Sequence, residues 1–144
     1  MTKIVTKPWL CEAGKTLMWQ INRTYATRDK TSDGWIGDIA HQARKSDHNP
    51  DAKCENVVRA VDIDADLEKG NKNKSWELAD ELRLAAKKGE KRISYIIHQG
   101  KIASPRLLWK WRNYSGGNPH HHHIHISFTK AGDYDPIVFK IASL

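Results

Sequence analysis

Residues 118–128 read Asn-Pro-His-His-His-His-Ile-His-Ile-Ser-Phe, with five imidazoles inside six positions of the chain interior. From His123 onward polar and apolar residues alternate. Successive side chains of a β-strand point to opposite faces. The pattern therefore predicts His123 and His125 on one face and Ile124, Ile126 and Phe128 on the other, toward a core. A purification tag would be terminal and longer. A metal site and a surface histidine cluster both fit the run alone, and a matching half-site upstream favours the metal.

That half-site lies in Val57 to Asp64, which reads as a second strand. Val57, Val61 and Ile63 share one face, and Ala60, Asp62 and Asp64 share the other. A carboxylate on such a strand is costly to bury unless it is paired or binds a metal. Asp62 is assigned to this case, whereas Asp64 is expected at a strand end dipping into solvent. His48 stands in a loop, Lys45 to Asp51. A catalytic zinc usually takes three protein ligands and leaves a fourth position open. His48, Asp62 and His125 would converge as such a set if the two strands are neighbours. His120 and His123 would then lie beside it, suited to general acid–base work or to stabilising an oxyanion. His41 is expected to pack or cap, and His98 to lie on a sheet face.

The remaining pattern places these residues in one domain, 1–144. A chain of 144 residues can bury a core, and 39% hydrophobic residues with six Trp indicate a globular protein. Leu17, Met18, Ile21 and Tyr25 mark a helical stripe in 16–28. A turn follows at Thr31 to Gly34, then a short helix over 35–44. Ser75 is expected to cap a helix running to Lys88 and stopped by Gly89, with Leu78, Ala79, Leu82, Ala85 and Ala86 inward and Arg83 toward solvent. Arg92 to His98 reads as a strand turning at Gln99-Gly100 into Lys101 to Ala103. Leu107 to Tyr114 is an aromatic connector, and Ile137 to Phe139 a final strand. Cys11 and Cys54 form no CxxC pair and are expected as free thiols. No apolar run approaches the roughly 20 residues that span a bilayer, and the first residues lack the apolar core of a signal peptide. Synthesis in the cytosol, with exit by another route, is the expectation. The net charge of +7 points to an anionic partner (nucleic acid, membrane surface or cell wall) or to solubility alone.

Taken together, Ser46-x-His48, Ala60-x-Asp62 and His120-x-x-His123-x-His125 resemble the LAS zinc peptidases that cut peptidoglycan peptides. These include lysostaphin-type enzymes, D-Ala-D-Ala carboxypeptidases and hedgehog-like domains. The His-x-x-His-x-His spacing is most similar to the penicillin-insensitive murein endopeptidase branch. Ser46-Asp47-His48-Asn49-Pro50 and Asn118-Pro119-His120 are similar to peptidase domains of actinobacteriophage endolysins. The resemblance covers roughly residues 30–130. It implies a small α+β fold with a central antiparallel sheet flanked by helices. It implies zinc on His48, Asp62 and His125, with His123 and His120 assisting catalysis. It further implies a monomer acting on cell-wall peptide after holin-type release, without nucleic acid as partner and without membrane insertion. Two departures stand out. Asp62 follows His48 by fourteen positions, so an extra loop containing Cys54 is expected. No acid precedes the histidine strand, as it does in carboxypeptidase-like members, which suits a histidine base. Two rival readings carry other functions. Asp47-His48-Asn49-Pro50 and the positive charge mimic a His-metal-finger nuclease, although its second His is missing. A non-catalytic wall-binding or zinc-storage module would not need Asp62.

Overall fold

The computed structural model describes residues 7–36, 46–116 and 119–144. The short helix expected over 35–44, and His41 with it, falls almost entirely outside the described residues. Two helices are present among them, α1 (Glu12–Thr24) and α2 (Lys74–Lys87). The strands are β1 (Trp9–Leu10), β2 (Val57–Val58), β3 (Ala60–Asp64), β4 (Ile93–His98), β5 (Lys101–Ala103), β6 (Arg112–Asn113) and β7 (His123–Phe128). The short β1 and β2 pair in parallel. The other five form one antiparallel sheet in the order β3-β7-β4-β5-β6. The result is a small α+β fold.

The period-two pattern sets the register. Val61 pairs with Ile126, Ile63 with Ile124, and Ile96 with Ile126. These apolar side chains are fully buried and form one core with Leu17 and Ile21 of α1 and Leu78 and Leu82 of α2. Each such Leu or Ile contributes about 1.5–3 kcal/mol on burial. The opposite face carries the polar partners, with Asp62 beside His125 and Asp64 beside His123. β4 adds Tyr95 beside Ser127 and Ile97 beside His125.

Several details depart from the sequence expectation. The strand over 57–64 breaks at Arg59, whose backbone N–H reaches the Asp47 carbonyl at 3.2 Å. Helix α1 starts four residues earlier than the stripe at 16–28, led by Glu12 at its positive end, and stops at Thr24. Ser75 does not cap α2. Asn73 is the flanking residue, and the Ser75 hydroxyl instead donates to His98 Nε2 at 3.0 Å. Arg83 does not point to solvent: it bonds Asp80 and the Trp109 carbonyl and lies against the Trp111 ring. Residues 137–139 form no strand, and Ile137 and Val138 are exposed. The buried Gln20 amide takes both the N–H (2.8 Å) and the carbonyl (2.9 Å) of Phe139, the groups a ladder would need. Cys11 is buried, Cys54 is half-buried, and both are free thiols. Among the described residues no helix is long and apolar enough to cross a membrane.

Candidate metal centre

The β3–β7 pairing places Asp62 directly opposite His125 on the polar face. His125 Nδ1 lies 3.1 Å from Asp62 Oδ1. His48 Nε2 reaches in from its loop to 3.2 Å from Asp62 Oδ2 and 3.2 Å from His125 Nδ1. Ligand atoms on a tetrahedron around zinc, at the usual 2.0–2.1 Å, are separated by about 3.3 Å. The three donors therefore already stand at near-tetrahedral spacing, and among the described residues they are one of two His/Asp groups placed to hold a metal ion. His48 and His125 are buried, with rings 4.9 Å apart edge to face.

The tautomers are set from behind. His48 Nδ1 lies 2.9 Å from the Trp35 carbonyl, which can only accept, so Nδ1 carries the proton and Nε2 offers its lone pair. His125 Nε2 lies 2.8 Å from Ser127 Oγ, two residues along the same face. Donation there leaves Nδ1 as the ligand atom, the usual way an outer partner orients a metal-binding imidazole. The Tyr95 ring stacks on His125 at 5.4 Å and 18°. Burial, with Asp47 nearby, pushes the Tyr95 phenol up. In the metal-free protein burial raises the Asp62 pKa, but the facing His125 and His48 rings outweigh it and hold the carboxyl well below the usual range. Burial lowers the His48 pKa, yet the Asp62 hydrogen bond and charge prevail and raise it.

The long His48–Asp62 interval has a structural use. A 3-10 turn at Ala52–Cys54, followed by left-handed Glu55 and Asn56, returns the chain so that Asp51 pairs with Val57. Arg59 then ties the loop down. Its guanidinium bonds Asp51 Oδ2 at 2.7 Å and both oxygens of Asp133 at 2.7 and 2.8 Å.

His120 and His123 stand next to the triad. His120 Nδ1 is 2.7 Å from His123 Nε2, which is 3.5 Å from Asp62 Oδ2. Burial, with the charge of His125, lowers His120 to about 3. Burial likewise lowers His123. Both are neutral at pH 7. The backbone of His120 is left-handed, with φ 57°, a conformation that surrounding contacts must enforce. Those contacts come from the β4–β5 turn. Gln99 N–H and Gly100 N–H bond the carbonyls of His120 and Pro119 at 3.0 and 2.8 Å. Fully buried His98 lies behind them, its Nδ1 3.2 and 3.1 Å from the carbonyls of His120 and His123. His98 is thus a sheet residue remote from the ligands, as its position suggests, but it holds both members of the pair.

Asp64 corrects an expectation. It is buried, accepting from Ser32 N–H and Oγ and from Asp66 N–H at 2.8–3.0 Å. It braces the 29–33 segment instead of meeting solvent. Beyond it opens a cleft of about 900 Å³ lined by Ser32, Asp64, Asn71, His121 and His122 among others. His121 and His122 thus face this cleft and take no part in the triad. The supports Trp35, Tyr95, His98 and Ser127 were not singled out as site residues from the sequence. Only the position of Ser127, two residues from His125 on the same strand face, could have pointed to one of them. No family model matches the chain, and no curated protein or solved structure matches it, so the chemistry of this centre is argued from its own residues.

Proposed function

We propose that the protein is a zinc-dependent peptidase of bacterial cell-wall peptides, of the LAS type its motifs resemble. The observation that carries this reading is the His48–Asp62–His125 triangle, with tautomers preset for ligation and two neutral histidines alongside. Zinc held there would act as a Lewis acid and lower the pKa of a coordinated water to about 7. His48 Nε2, Asp62 and His125 Nδ1 would hold the ion, and the Trp35 carbonyl and Ser127 Oγ would keep both rings in register. The hydrogen-bonded His120–His123 pair, beside Asp62, would take up the proton of the attacking water and pass it to the leaving amine nitrogen. Amide cleavage is then complete, giving a carboxylate and an amine.

The choice of peptidoglycan rests on the motif resemblance and the +7 charge, which would draw the enzyme to an anionic wall. The two candidate bonds are the D-Ala–diaminopimelate cross-link and the L-Ala–D-Glu stem bond. A monomer reaching the wall by holin-type release completes the proposal. Mass spectrometry of muropeptides released from purified wall tests it, with a duplex DNA substrate in parallel. We expect about one zinc per dialysed chain, new peptide termini from wall, loss of cleavage with chelator and recovery with zinc. Full activity in excess chelator would overturn the metallopeptidase. DNA cleavage without wall cleavage would transfer the site to the nuclease reading.

A further inference from the structure

The histidines beside the triad are themselves arranged as metal donors. Asp62, His120 and His123 each offer a ligand atom close to the other two, making a second group that shares Asp62 with the first. His120 is buried and His123 and Asp62 are half-buried, so the set is partly open to solvent. Two imidazoles with one carboxylate suit zinc and its transition-metal neighbours better than magnesium or calcium. We propose that Asp62, His120 and His123 form a second, weaker zinc site, and that filling it silences the proton-transfer pair.

The geometry explains why the site is weaker. Tetrahedral spacing is about 3.3 Å, so the 2.7 Å contact between His120 Nδ1 and His123 Nε2 must open by about 0.6 Å. The His123 Nε2 to Asp62 Oδ2 distance of 3.5 Å needs little change. One of the two touching nitrogens carries the proton of their hydrogen bond. Before both can ligate, that ring must move its proton to its other nitrogen. Only one carboxylate serves both sites, so a second dication meets the charge of the first with little to offset it. Each of these costs lowers affinity without removing a donor. Once bound, both lone pairs are engaged and neither histidine can take a proton. Excess zinc should therefore inhibit.

The inhibitory half of this inference rests on the peptidase reading, but the second site itself does not. The test is zinc binding by equilibrium dialysis with metal analysis, from sub-stoichiometric to millimolar zinc, beside wall-cleavage rates at the same free zinc. The wild type should bind one zinc tightly and a second at least about 10²-fold more weakly, its rate rising with the first and falling with the second. His120→Ala and His123→Ala should each stop at one zinc, and their residual rates should not fall in excess zinc. His121→Ala and His122→Ala, outside the donor set, should still bind two and show inhibition. A wild type that stops at one zinc overturns the proposal, as does a second zinc that survives both His120→Ala and His123→Ala. Two zincs on the wild type and one on His120→Ala and His123→Ala, without any wall cleavage, would uphold the second site and overturn the peptidase.

Discussion

Asp62 and His125 are direct cross-strand partners, with His125 Nδ1 3.1 Å from Asp62 Oδ1. His123 lies on the same strand face, but its Nε2 contacts His120 and sits 3.5 Å from the carboxylate. The two histidines should therefore fail differently. His125→Ala should lose tight zinc and activity together. His123→Ala should keep the tight zinc while turnover falls by about 10²–10⁴-fold, the usual worth of a positioned acid or base. Metal content and cleavage rate on the same preparations decide it. Zinc lost from His123→Ala and retained by His125→Ala would reverse the roles.

Ser127 Oγ meets the His125 ring at Nε2, on the side away from Asp62. Without its hydroxyl the ring loses the partner that favours ligation through Nδ1. Ser127→Ala should weaken tight zinc binding by about 10–100-fold, as outer-shell changes do. Competition with a chromophoric chelator measures this, and unchanged affinity would mean the tautomer is set elsewhere.

His98 offers a donor to the carbonyls of His120 and His123 without facing the ligands. His98→Leu should leave tight zinc bound and lower kcat by about 10²-fold, the scale of a misplaced catalytic group. His98→Asn keeps a donor near the Nδ1 position and should recover part of the loss. Equal rates for the Leu and Asn variants would show that the donor is not what matters.

Burial depresses His120 to about 3, from an ordinary 6.5, and depresses His123 and His98 too. In the metal-free protein the unfolded chain then binds more protons in acid than the folded one. The stability these groups contribute is present above about pH 6.5 and lost as pH falls toward 3. His48 works in the opposite sense: its raised pKa contributes stability below 6.5 that is lost as pH rises through its folded value. Three depressed histidines against one raised histidine, with the depressed Asp62 carboxyl acting in the same sense in stronger acid, predict a denaturant midpoint that falls from pH 6.5 to 4. The fall should be shallower in His120→Gln. A flat midpoint across that range would contradict the assignment.

What could be read in advance follows from where each interaction is encoded. Alternation in 123–128 and 57–64 carried the faces of β3 and β7, so the meeting of Asp62 with His125 was legible. The inward stripe of α2 was legible for the same reason, since Leu78, Ala79, Leu82 and Ala86 recur at helical spacing and are buried. The supports were not. His48 is oriented by the carbonyl of Trp35, and every residue has a carbonyl. The burial of Asp64 depends on Ser32, thirty-two positions away. Ser75 looked like a cap because its type suits one, but a buried imidazole competed for the same hydroxyl. Ile137 to Phe139 has strand composition, and Gln20 claims its backbone groups instead.

β7 lies between β3 and β4 although it follows both in the chain. During synthesis β3 and β4 both emerge before the strand that joins them. The nascent chain then holds His48 and Asp62 but lacks the third ligand, separated from Asp62 by 63 residues. Until β7 inserts, the half-built centre has only two donors and a poor hold on metal. Tight metal uptake by this set would thus be tied to β7, the last of these strands to be made, and a chain that held a metal firmly would be one in which β7 has docked between β3 and β4.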